Sequence, residues 1–121
     1  MSKFYFGTPF LSQKVAFDWD KSVELLNNML ASVAQQTNRD FHHFIACHEI
    51  PPINEAYKPF VTFIPVDSPI PQTSQQMLED KGIKKQAIGV KLREEGSGYL
   101  MMLDADDLVH RNLVDYALSH Q

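Results

Sequence analysis

Tyr99-Leu100-Met101-Met102-Leu103-Asp104-Ala105-Asp106-Asp107 sets five apolar residues directly before three aspartates within four positions. The apolar run, entered through Gly96-Ser97-Gly98 as helix C-cap and turn, predicts a buried β-strand over Tyr99–Asp104. The aspartates then crowd the end of that strand. Like charges a few ångströms apart repel, and a core strand ends at lower cost in Ser, Gly or Asn. A divalent cation resolves the conflict, since hard ions such as Mg2+ and Mn2+ favour carboxylate oxygens. Mg2+ takes one or two protein carboxylates and completes its shell with water and substrate phosphates, so the cluster predicts a phosphate-bearing ligand beside Mn2+ or Mg2+. The competing explanation is that Asp106 and Asp107 cap the next helix, which accounts for one or two aspartates but not three. An EF-hand fits poorly, because the Asp-x-Asp start lacks the following Asp/Asn-Gly and the distal Glu.

Working outward, the chain alternates strands and helices. Lys3–Thr8 reads as a strand running into the turn Gly7-Thr8-Pro9. Asp18 and Asp20 offer N-caps for a helix from about Lys21 to Gln36, with Val23, Leu26, Leu30 and Val33 at helical spacing. Phe41–Cys47 is a second strand, continuous enough over Phe44–Cys47 to be buried on both faces. Pro51–Pro59 is the most linker-like stretch, and a second loop is expected at Asp67–Pro71. Between them Phe60–Val66 is a third strand with Pro65 at its end or on an edge. Helical sequence follows from Thr73 to Glu95, with a break expected at Gly82, and Arg111–Ser119 closes the chain as an amphipathic helix. The fold class is therefore α/β, with a mainly parallel sheet of about four strands and flanking helices. In such sheets ligands gather outside the carboxyl ends of the strands, here Thr8-Pro9, His48-Glu49, Asp67 and Asp104–Asp107.

Composition agrees with that class. The 121 residues suffice for one domain spanning 1–121, with 44% apolar and 21% charged residues, an ordinary globular balance. A net charge of −4 gives no attraction to nucleic acid or anionic membrane. The longest apolar run, Tyr99–Leu103, is far short of a bilayer span, and the N-terminus lacks the apolar stretch of a signal peptide. The single cysteine, Cys47, has no internal disulfide partner, so a cytoplasmic location is expected.

Two separated motifs carry a family resemblance. Lys84-x-x-Ala87 followed by Gly98-Tyr99-Leu100-x-x-Leu103-Asp104-Ala105-Asp106-Asp107, and Ser32-Val33-x-x-Gln36-Thr37-Asn38-Arg39-Asp40-Phe41 before them, resemble glycosyltransferases of the GT-A fold, especially the large family 2 group. The resemblance runs from Lys3 to about His120. It implies the Rossmann-like, nucleotide-sugar-binding half of that fold, taking a UDP- or GDP-type donor with Mn2+ or Mg2+ and serving an unknown sugar or glycan acceptor. It implies that Asp104 contacts the donor ribose, that Asp106 ligates the metal on the diphosphate, and that Asp107 assists. Thr8 and Pro9 would form the turn beside the nucleotide, and Lys84 would approach the base or the phosphates. The acidic residue that reads the base in the family is matched only by Glu49, within Cys47-His48-Glu49-Ile50-Pro51. Gly89 stands where the family has Asn, the first strand lacks its usual branched aliphatic residues, and a longer insert precedes the first helix. The family's acceptor half, with the carboxylate base of inverting members, has no counterpart in these residues. Donor binding without turnover is therefore expected of them, along with self-association through the surface that half would cover.

Two other readings compete. Haloacid-dehalogenase-like phosphatases also end an apolar strand in Asp-x-Asp, but their nucleophilic first Asp lies near the chain start. A non-catalytic nucleotide-binding or assembly module is the third. Among isolated signals, His42 and His43 alternate across a strand and are expected to face solvent. His48 stands at a strand end near the expected site, where ligand contact and a structural role are both open. For His110 helix capping is the stronger expectation over metal ligation, and Cys47 is expected in the core. Lys84-Lys85 divides evenly between phosphate contact and a solvated surface, and Trp19 is expected to anchor the first helix.

Overall fold

The computed structural model describes residues 4–96 and 98–119. Its elements are β1 (Phe4–Pro9), α1 (Trp19–Ala34), β2 (Phe41–Cys47), a 3-10 helix (Glu55–Phe60), β3 (Val61–Pro65), α2 (Ser74–Glu95), β4 (Tyr99–Met102) and α3 (Leu113–Ser119). Among the described residues the strands form one sheet in the order β3-β2-β1-β4. Every pairing is parallel, with Phe4 opposite both Phe41 and Tyr99, and His43 opposite Val61. The α/β expectation holds.

Parallel neighbours need a crossover, and the helices supply it. After β3 the chain crosses from one edge of the sheet to the other, and α2, with 22 residues, makes that crossing. Strand order therefore reverses between β1 and β4, which creates a switch point beside the central strand.

Alternation along the strands sorts the core into two layers. Phe4 and Phe6 of β1, with Phe41 and Ile45 of β2, pack against Leu26, Met29, Leu30 and Val33 of α1 and Val114 of α3. Tyr5, Phe44 and Ala46 face the other way, onto Ile88 of α2, with Leu100 and Met102 of β4 alongside. α1 starts at the Asp18 side chain, which accepts from the Lys21 N–H. Trp19 anchors it as expected, its ring 5.4 Å from that of Phe10. Thr73 caps α2 in the same way, accepting from the Gln76 N–H.

α2 lies close on β1 because Gly7 has no side chain. A Cβ there would come within 2.8 Å of Ile88 Cγ2 and 2.9 Å of Met102 Sδ. Ile88 is fully buried and cannot yield easily. Gly7→Ala is expected to destabilise the fold by roughly 1–3 kcal/mol, as other overpacked cores do. An unchanged urea midpoint would refute this close packing.

Several expectations are corrected. α2 runs unbroken through Gly82. The glycine's cost of about 1 kcal/mol is outweighed by the residues that α2 buries on either side of it, Asp80, Lys84 and Ile88. β4 is an edge strand that alternates exposed and half-buried residues instead of a buried one, since among the described residues only β1 flanks it. Leu103, beyond its end, is the buried residue of that run. The Pro-rich linker contains the 3-10 helix, whose Tyr57 and Phe60 rings lie against each other at 6.1 Å. β3 starts one residue late and ends on Pro65, α1 begins two residues early, and α3 begins at Leu113. Lys3, Ser97 and His120 lie outside the described residues. Gly96, at φ 108°, ends α2 in the conformation that favours glycine. Among the described residues no helix is long and apolar enough to cross a membrane.

Candidate functional site

A cavity of about 310 Å³ opens at the carboxyl ends of β1 and β4, at the switch point. Pro9, Phe10 and Leu11 leave β1 to form one wall, joined by Ser22 and Leu25 of α1. Met77, Asp80, Lys81 and Lys84 of α2 form the opposite wall, and Asp104, Ala105 and Asp106 follow β4 into it. The size and the mixture of apolar wall and convergent charge suit a small-molecule site.

The acidic loop has a defined local structure. The Asp107 N–H donates to the Asp104 carbonyl at 3.0 Å, and the Asp104 N–H donates to Asp107 Oδ2 at 2.9 Å. Asp107 thus holds the turn together, while Asp104 and Asp106 line the cavity. Asp104 Oδ1 accepts from Lys81 Nζ at 2.8 Å, so an α2 ammonium already sits on the first carboxylate. Among the described residues no three His, Cys, Asp or Glu side chains converge as a ready-made metal group. Two carboxylates beside open space fit Mg2+ or Mn2+, which draw their remaining ligands from water and phosphate.

The loop is held from behind by α1 and the residues after it. Gln36 is buried, donates from Nε2 to the His110 carbonyl at 2.7 Å and accepts the Val114 N–H at 3.0 Å. The Thr37 N–H donates to the Arg111 carbonyl at 2.8 Å, and the Val109 N–H donates to Ser32 Oγ at 3.2 Å. Ser32, Gln36 and Thr37 therefore fix the segment directly after the aspartates. The two sequence motifs are physically one assembly. No protein-family model matches the chain, and no curated protein does.

The other expected site residues divide. Pro9 lines the cavity, whereas Thr8 is fully buried and pairs through Oγ1 with His43 Nε2 at 2.8 Å. Glu49 is outside the cavity lining. It accepts from Ser12 Oγ at 2.6 Å and from the Gln13 N–H at 3.0 Å, bracing the loop that supplies Phe10 and Leu11. Lys84 does line the cavity but is 1% exposed, with Nζ 2.7 Å from Asp80 Oδ2. Behind this pair His48 Nε2 donates to the Ser68 carbonyl at 2.9 Å and lies 3.7 Å from Asp80 Oδ1. Asp80 Oδ1 and His48 Nδ1 are buried without a hydrogen-bond partner among the described residues.

His43 does not face solvent: it is fully buried, stacked on Phe6, with its pKa pushed down to about 3 by burial and, secondarily, by His42. His42 is half-buried, with Nε2 2.6 Å from Thr62 Oγ1. His110 Nδ1 accepts the Asn112 N–H at 3.1 Å, just ahead of α3. Burial pushes the Cys47 thiol up to about 11, with Lys84 opposing and Glu49 adding, so it stays protonated and inert at neutral pH. Asp80 and Lys81 are the site residues that sequence reasoning missed. Their spacing of four and three residues before Lys84 was the available signal, obscured by the expected break at Gly82.

Proposed function

We propose that these residues form the donor-binding half of a GT-A-type glycosyltransferase, taking a nucleoside-diphosphate sugar together with Mn2+ or Mg2+. One observation carries the reading: Asp104 and Asp106 line one cavity with Lys81 and Lys84, Lys81 on the Asp104 carboxylate, at the switch point of a parallel sheet. Asp104 and Asp106 would hold the metal, and Asp107 shapes their turn. The bound metal would supply charge neutralisation at the diphosphate leaving group. Lys81 adds a cation on the same side, beside the mutually neutralised Lys84–Asp80 pair, where leaving-group charge develops. Phe10, Leu11 and Leu25 offer an apolar surface for the base. The role proposed for these residues is donor binding, with transfer to a sugar or glycan acceptor as the reaction it would serve.

The test is thermal. At a hundredfold excess over Kd, UDP or GDP with Mn2+ is expected to raise the melting temperature by roughly 10 °C. Asp106→Ala should abolish that shift while leaving the ligand-free melting temperature near its original value, because Asp106 is exposed. Absence of a shift with any nucleoside diphosphate and metal would overturn the reading.

A further inference from the structure

The two cavity lysines are not equivalent. Lys84, which the family resemblance brings to the base or the phosphates, has 1% of its side chain exposed and is paired with Asp80 at 2.7 Å. Drawing it into the cavity would strand the Asp80 carboxylate, one oxygen of which is already buried without a hydrogen bond. Lys81 is different. Its side chain is 44% exposed, and its only ion pair among the described residues is with the 58%-exposed carboxylate of Asp104. Exposed pairs contribute little and exchange readily.

Resting on the donor-binding reading above, we infer that Lys81 is the diphosphate-positioning residue and that its bond to Asp104 holds the carboxylate until a metal takes it. The ammonium at 2.8 Å from Asp104 Oδ1 stands where a divalent cation on that carboxylate would place its charge. With a divalent cation held at Asp104, the Lys81 ammonium would leave that carboxylate by repulsion. Lys81 follows Asp80 directly on α2 and lies about one turn before Lys84, on the cavity wall, so its freed ammonium would stay beside phosphate oxygens bound there. The resting ion pair thus lowers the affinity for metal alone and favours metal and diphosphate arriving together.

This makes opposite demands on one substitution. Titration calorimetry on Lys81→Met should show Mn2+ alone binding about two- to fivefold more tightly than to the wild-type chain. The same variant should bind UDP or GDP with Mn2+ about ten- to hundredfold more weakly. The matching nucleoside with Mn2+ should bind both proteins alike, and Lys81→Arg should retain most of the diphosphate affinity. Lys58→Met, which removes an exposed lysine from the 3-10 helix, is the control for net charge. Equal diphosphate affinities for wild type and Lys81→Met would overturn this inference while leaving the donor site intact. Weaker binding of Mn2+ alone to the variant would also overturn it. A wild-type chain that binds no nucleoside diphosphate overturns both readings.

Discussion

Lowering the pH from 7 to 4 is expected to remove about 3 kcal/mol of folding stability through one side chain, His43. Burial holds its folded-state pKa at about 3, below the ordinary 6.5, with His42 adding to the effect. The fold therefore keeps the neutral ring. Above pH 6.5 neither state takes up the proton and the contribution is fully present. As the pH falls from 6.5 toward 3, the unfolded chain binds a proton that the core refuses, and stability is lost. His43→Gln can still reach Thr8 Oγ1 but does not titrate, so it should flatten this acid limb even if it lowers stability at pH 7. Urea unfolding at pH 7, 6, 5 and 4, followed by Trp19 fluorescence, gives the comparison. Carboxylates titrate in both proteins, so the difference between the two curves isolates His43. Parallel curves would remove the histidine from the account.

The burial of His43 was hidden for a reason that applies to the whole sheet. Alternation says that His42 and His43 face opposite sides, and that much is correct. It does not say that both sides are covered, which depends on α1 and α2 packing on opposite faces of β2. Local patterning located each strand and the order of elements to within a few residues, because apolar runs and turn residues are local signals. Sheet order is not local. The five apolar residues from Tyr99 resemble a central strand in sequence, yet among the described residues β4 pairs only with β1, and Tyr99 and Met101 are exposed. Gly82 misled in the opposite direction, since tertiary packing overrides a single unfavourable helix residue.

At the site, chemistry was legible and geometry was not. Three aspartates in four residues signal a cluster, but their division of labour follows from the turn that Asp107 closes on the Asp104 N–H. Thr8 and Pro9 are adjacent in sequence, and strand pleating sends Thr8 to His43 while Pro9 meets the cavity. Glu49 had the right charge at the right strand end, but Ser12 and Gln13 claim its oxygens. The role of Ser32, Gln36 and Thr37 as a brace for residues 109–114 lies in hydrogen bonds spanning more than seventy positions, which no sequence window contains.

Lys84→Met should cost about 3–5 kcal/mol in stability, a far larger effect than any expected of its neighbour Lys81. The substitution keeps the apolar stem and removes the ammonium, leaving the Asp80 carboxylate, itself 8% exposed, without its partner. His48 Nε2, at 3.7 Å and already donating to the Ser68 carbonyl, is too distant to replace it. Restoring neutrality should restore stability. In Lys84→Met/Asp80→Leu both charges leave the interior, and a buried pair exchanged for apolar groups is commonly neutral or stabilising. The double variant is therefore expected to recover most of the loss, and Asp80→Leu alone to be destabilised by its stranded lysine. Urea midpoints across this cycle give the coupling directly. Additive losses would mean that the two groups do not depend on each other. The lock on Lys84 would then fail as a reason to assign phosphate contact to Lys81.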